Sequence, residues 1–218
     1  MAFEKKKTIA LVCLSLLGLV LVSGCFTMNV HATANTDGTV SDYRVELTTS
    51  SFVYNLLKES AKENGYANVR EYVEAESGPG SISYEEVWDD DSVTLKIRSN
   101  EPVTPDGSNW TITKEDGYLI YNDLRFQDGE EEMDTSDKLT GALLSDCVLH
   151  YYLEMPGKIV DSNANTVNEK SAEWHLTGSD IFKTTIYAKS EVPATSLPGF
   201  GALLAIVACA FIALRRTS

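Results

Sequence analysis

The sequence predicts an α+β domain, mostly β with one helical insert, set between two membrane signals. Three observations lead there. Apolar and polar residues alternate along several short stretches bounded by turn residues. One stretch, after Ser51, changes to a helical period. Both ends carry uncharged apolar runs, which belong to targeting rather than to a globular core.

At the N-terminus, Lys5, Lys6 and Lys7 precede an uncharged run from Thr8 to Val22. A basic start and an apolar run of about 15 residues have the form of a secretory signal, and the run is short for a membrane span. It exits through Val22-Ser23-Gly24-Cys25, which resembles the lipobox of bacterial and archaeal lipoproteins. That resemblance makes Cys25 the expected lipidation site and first mature residue. An ordinary signal peptide or an uncleaved signal anchor would share the apolar run; the cysteine at its end favours lipidation.

At the other end, Leu197 to Leu214 carries no charged side chain and closes on Arg215 and Arg216. As a helix it reaches about 27 Å, close to the roughly 30 Å hydrocarbon core of a bilayer. The paired arginines and the N-terminal lysines stay in the cytoplasm by the positive-inside rule, so everything between is placed outside. Pro198-Gly199-Phe200, the apolar run and the basic end together resemble the PGF-type sorting signal of archaeal surface proteins, which archaeosortases recognise and replace with a lipid. The long Thr-rich stalk usual before that signal is reduced here to Pro193-Ala194-Thr195-Ser196. The chain of 218 residues thus divides into a lipoprotein signal peptide (1–24), an extracytoplasmic domain (25–192), a short linker (193–196) and a sorting signal with its transmembrane helix (197–218).

Within the domain, Met28, Val30 and Ala32 alternate with polar residues, Asn35-Thr36-Asp37-Gly38 makes a turn, and Tyr43, Val45 and Leu47 alternate again, which predicts a hairpin. Phe52, Val53, Leu56, Leu57 and Ala61 then form a helical stripe that stops at Asn64-Gly65, and Val69, Tyr72 and Val73 predict a second, short helix. Strand patterns follow at Ile82 to Trp88, Val93 to Ile97, Trp110 to Ile112 and Tyr118 to Phe126, separated by turns such as Asp89-Asp90-Asp91 and Asp116-Gly117. A short helix is expected from Lys138 to Leu144. After it, Cys147, Leu149, Tyr151, Leu153 and Met155 fall on one face of a strand. Met155-Pro156-Gly157-Lys158 fits a type II turn with Gly157 at positive φ. Ala172 to Leu176 and Phe182 to Ala188 complete the strands.

Composition excludes some functions. The chain carries 32 acidic and 18 basic residues. Without Glu4, the N-terminal lysines and the final arginines, the exterior part has a net charge of about −18, a field that repels phosphate backbones and anionic lipid surfaces. Nucleic acid is therefore not an expected partner; an acidic surface also simply keeps a protein soluble in salt. Of the four cysteines, Cys13 and Cys209 lie in the apolar ends and Cys25 in the lipobox, which leaves Cys147 with no partner for an intramolecular disulfide.

The Gly24-Cys25 start leading into a strand, Asp37-Gly38-Thr39 in the first turn, the helical insert, and Tyr152-Leu153-Glu154-Met155-Pro156-Gly157-Lys158-Ile159-Val160 followed by Trp174 resemble the LppM family of envelope lipoproteins over most of residues 25–190. The resemblance implies a curved antiparallel sheet with the two-helix insert covering one face, held at the membrane and binding lipid or glycolipid in an apolar pocket. It assigns no catalytic residues. Phe52, Leu56, Tyr72 and Trp88 are the residues expected to line that pocket, although solid packing of the same residues is the commoner use of such a stripe.

Motifs for catalysis are absent. His31, His150 and His175 are far apart and lie on polar faces of their strands, without the spacing of a metal site, though two could meet across a sheet. No Gly-x-Ser-x-Gly elbow or phosphate loop occurs. Two acidic clusters, Glu85-Glu86 with Asp89 to Asp91 and Asp128 to Asp134, are permissive for Ca²⁺ but match no EF-hand and read as solvated loops. No cofactor and no metal are expected. Asn109-Trp110-Thr111 is the one N-glycosylation sequon, open to modification unless Trp110 is core. The sequence is therefore read as a non-enzymatic cell-surface module, with membrane lipid, signal-processing and sorting enzymes, and surface-layer proteins or glycolipid as partners. An extracytoplasmic hydrolase with a dispersed site is the alternative; a solute-binding protein for a transporter would need more residues.

Overall fold

The computed structural model describes residues 26–78, 80–127 and 146–192. Cys25, the Pro198-Gly199-Phe200 signal, the second acidic cluster and the helix expected from Lys138 to Leu144 lie outside the described residues. Among the described residues no helix is long and apolar enough to cross a membrane.

Strict alternation builds the first hairpin. Strand β1 (Phe26–Ala34) buries every second residue and pairs antiparallel with β2 (Val40–Ser50) around the predicted turn. Gly38 takes φ +87° there, a conformation that glycine alone adopts without strain. The Ser50 hydroxyl accepts from the Val53 N–H and starts helix α1 (Ser51–Glu63), and Asn68 caps α2 (Val69–Ser77) through the Glu71 N–H. Strands β3 (Ile82–Asp89), β4 (Ser92–Ser99), β5 (Trp110–Glu115), β6 (Tyr118–Asp123), β7 (Val148–Glu154), β8 (Ile159–Ser162), β9 (Thr166–Val167), β10 (Ser171–Thr177) and β11 (Ile186–Glu191) follow, with a 3-10 turn over Gly178–Phe182.

The strands form two sheets rather than the single antiparallel one expected. A seven-stranded sheet has the order β3-β4-β2-β1-β7-β10-β9, and a four-stranded sheet the order β5-β6-β11-β8. In the larger sheet β1 and β7 run parallel, Val30 opposite Tyr151. A parallel neighbour needs a long connection, and here the excursion through the smaller sheet supplies it. The inner face of the large sheet is covered at one side by the helices and at the other by the small sheet, through ring contacts such as Tyr43 with Trp110. Its outer face carries the polar row of each strand.

Four local expectations are corrected. The buried stripe of α1 is Val53, Tyr54, Leu57 and Ala61, so Phe52 and Leu56 turn outward. Both stripes fit a 3.6-residue period; the choice falls to Tyr54, whose hydroxyl donates to Glu86 on β3 at 2.9 Å. Strand β6 ends at Asp123 because the chain turns over Leu124 to Gln127 and brings Arg125 back onto Asp123. Phe182 belongs to the 3-10 turn, not to the last strand. Finally, Met155 to Lys158 is no type II turn: Gly157 does not take positive φ, and it is buried. The segment runs on in the alternating phase from β7 into β8, its Met155 and Ile159 N–H groups donating to Lys170 and Glu169 carbonyls at 2.7 Å. It is the crossing from one sheet to the other.

Candidate functional site

The space beneath the helical insert is packed with side chains. Tyr54 of α1 and Tyr84 of β3 both donate to Glu86 Oε1, at 2.9 and 2.8 Å, and Arg70 of α2 lies over the Tyr84 ring, 4.9 Å from its centroid. Burial first and the Glu86 carboxylate second push both phenols above their ordinary range. Of the four residues expected to line an enclosed pocket, Phe52 is 65% exposed, Trp88 54% and Leu56 38%, and Tyr72 is half-buried against the core with its ring 5.2 Å from Tyr66. They do not share an interior cavity. The apolar surface they offer is on the outside.

Acid–base groups do converge, in a place the sequence pattern was not read for. Leu119, Tyr121 and Asp123 are the inward row of β6, so a carboxylate enters the interface between the sheets. Arg125 meets it with two charge-assisted bonds, Nε to Oδ1 at 2.7 Å and Nη2 to Oδ2 at 2.5 Å, and Nη2 also reaches the Tyr43 hydroxyl at 3.2 Å. The guanidinium lies 4.0 Å from the centroid of the Trp110 ring. A donor chain ends on the same carboxylate. The Trp110 Nε1–H donates to Tyr121 at 2.9 Å, Tyr121 bonds Tyr151, and Tyr151 donates to Asp123 Oδ2 at 3.0 Å. Since the Tyr151 proton goes to Asp123, the Tyr121 hydroxyl is the donor to Tyr151.

The electrostatics follow from burial. Desolvation opposes the charge on Arg125, but Asp123 and the surrounding phenols outweigh it and hold the guanidinium's pKa well above its ordinary value. Burial first raises both phenols, followed by the Asp123 carboxylate for Tyr121 and by Tyr121 and then Asp123 for Tyr151. The network joins β2 and β7 of one sheet to β5 and β6 of the other, and every member is buried. Such a group ties sheets together; it offers no surface to a substrate. Its sequence signal was the acidic residue in the inward phase of Tyr118 to Asp123.

On the outer face of the large sheet, β1, β7 and β10 bring the three histidines near one another. His150 and His175 are directly opposite across β7 and β10, with their Nδ1 atoms 2.7 Å apart, and His31 stacks on Tyr152 with centroids 4.6 Å apart. Burial and the neighbouring His175 lower the His150 pKa; burial and Arg44 lower that of His31. No group of three or more metal-ligating residues forms among the described residues, the Glu85 to Asp91 cluster included. An open groove of about 240 Å³ on the same face runs between Arg44, Glu46, Ser83, Glu85, Lys96 and Arg98. Asn109 is half-buried at the head of β5, its carbonyl accepting from the Leu124 N–H at 2.6 Å, and Trp110 beside it is fully core, the case in which the sequon is closed.

A protein of Archaeoglobus fulgidus named "Uncharacterized protein" is 51% identical over 196 residues, which is 88% of this chain and 88% of that one. No protein-family model matches the sequence. Among solved structures, the NMR structure of the folded domain of Mycobacterium tuberculosis LppM is similar with a TM-score of 0.45 and 13% identity, over 79% of this chain and 94% of that one.

Proposed function

We propose that this chain, which belongs to the family of the Archaeoglobus fulgidus protein, is a membrane-tethered envelope module whose folded domain stands outside the cell and works by contact and binding rather than by catalysis. One observation carries the tether. Strand β1 begins at Phe26, one residue after Cys25, and Phe26 is already buried and paired with Thr49. A lipid on Cys25 would therefore hold the domain directly against the bilayer, with no spacer between.

Two further features support the reading. The convergent acid–base groups, Asp123, Arg125, Tyr121 and Tyr151, are consumed by one another inside the core. The apolar side chains Phe52, Leu56 and Trp88 face outward, which suits a partner such as membrane lipid, glycolipid or a surface-layer protein better than a small enclosed ligand.

The test is the intact protein produced in an archaeal host and compared with Cys25→Ser. Loss of metabolic lipid label and of the corresponding intact mass in the variant is the expected result. An unchanged mass and label in Cys25→Ser would remove the tether.

A further inference from the structure

We propose that the end of the domain at which the chain enters is a bilayer-contact surface, with Phe52, Leu56 and Trp88 as its apolar contacts. The inference rests on the tether described above and adds to it a surface and an orientation.

The registers put several segments at that one end. Phe26 opens β1 opposite Thr49, Thr49 lies opposite Val93, and Asp89 and Ser92 close the β3–β4 hairpin beside them. Helix α1 starts there too, its Ser51 N–H donating to the Asp91 carbonyl at 2.8 Å. Among the described residues six large apolar side chains are exposed, and four of them, Phe52, Leu56, Val87 and Trp88, belong to these segments. Both exposed aromatics are in that set. Val53, Leu57 and Ala61 already fill the seam of α1 against the sheet without Phe52 and Leu56, and Trp88, though edge-on to Tyr54 at 4.9 Å, keeps about half of its surface outside.

Exposed aromatic and aliphatic side chains on a soluble face are left unpaid in water, whereas at a bilayer the aromatic ring sits at headgroup depth and the aliphatic chain reaches the acyl boundary. What selects a bilayer over another occupant is the position of Cys25: the residue expected to carry lipid is one step from Phe26, so these side chains are held at the membrane by the chain itself. The Asp89-Asp90-Asp91 turn beside Trp88 adds a sign. It repels anionic headgroups, so contact with an anionic bilayer should strengthen as salt screens the field, over a length of about 8 Å at physiological ionic strength.

Tryptophan fluorescence reads the contact directly. The chain has three tryptophans, and Trp110 and Trp174 are fully buried, which leaves Trp88 as the one a lipid can reach. The full chain is reconstituted in phosphatidylcholine vesicles with plain or acyl-brominated chains. Bromine should quench part of the emission and Trp88→Phe should abolish the quenchable part. Phe52→Glu, a change at an exposed position that leaves the fold intact, should reduce it. A chain that floats with the vesicles but shows the same emission in both lipids overturns the contact and leaves membrane attachment standing, whose source at Cys25 is read separately by the lipid label of Cys25→Ser. A chain that does not float overturns the tether and the contact with it.

Discussion

Arg125 shows how much a single side chain can decide. It is buried, it carries its charge, and its bonds to Asp123 and Tyr43 connect the two sheets. Its Nη1 has no hydrogen-bond partner among the described residues and relies on the face of Trp110 instead. Removing one member of a buried ion pair leaves the other charge uncompensated and costs about 3–5 kcal/mol, whereas exchanging both for apolar residues of similar volume is close to neutral. Arg125→Met should therefore lower stability by about 3–5 kcal/mol, and Asp123→Leu with Arg125→Met by less than the single change. Urea denaturation of the three proteins checks this. A single variant within about 1 kcal/mol of the parent would mean that the Asp123–Arg125 pair does not hold the two sheets together.

At the scale of elements, the outer face of β1, β7 and β10 should make the domain sensitive to mild acid. His31 and His150 have pKa values lowered from 6.5 by burial first, helped by Arg44 and His175 respectively. The groups facing them are Arg44, Glu46 and Asp42 around His31, and His175, with Glu173 beyond it, and Tyr152 around His150. Above pH 6.5 both imidazoles are neutral in the folded and the unfolded chain, and their contribution to stability is complete. Below it the unfolded chain binds protons that the folded one resists, so stability falls from about pH 6.5 down to the lowered folded values. The urea midpoint should drop between pH 7.5 and pH 5.5, and His150→Gln should flatten that drop; equal slopes in the two proteins would count against it. The same elements show what a sequence discloses. Alternation made β1, β2, β7 and β10 legible together with their inward residues, and the change of period near Ser51 and the Asn64-Gly65 stop marked the ends of α1. That two of the three histidines could meet across a sheet was legible, but not that the pair is His150 and His175, because that depends on a register set by pairing between separate strands. The extended crossing at Pro156-Gly157 was misread for a related reason: a Pro-Gly pair fits a turn locally, and only the Lys170 and Glu169 carbonyls beside it hold it straight.

The whole molecule has its two exits at opposite ends. The chain enters at Phe26, beside the Asp89 to Asp91 turn. The small sheet projects past the other end: the Cβ position of Gly38 lies 3.8 Å from the Ile112 carbonyl oxygen, Lys114 is close enough to Asp37 to lower its pKa as a minor contributor behind the Thr39 hydrogen bonds, and the Val192 N–H donates to Gly117 at 3.0 Å. None of this was legible in the sequence, since the parallel β1–β7 pairing and the placement of the small sheet are long-range choices. It bears on the proposed tethers. Nine residues of β1 alone span about 26 Å, and the exit lies beyond that strand's far end. From Val192 to Leu197 five residues reach at most about 18 Å. A domain standing upright on Cys25 therefore cannot also place Leu197 at the same bilayer surface. With both tethers engaged it must lie over, its strands along the membrane and its entry end still in contact. The full chain reconstituted in a supported phosphatidylcholine bilayer should then form a thinner protein layer by neutron reflectometry than a chain ending at Val192 that keeps its lipid on Cys25. Equal thickness for the two would show that the C-terminal segment does not anchor the domain to that bilayer, whereas a thicker layer for the full chain would contradict the opposite placement of the two exits.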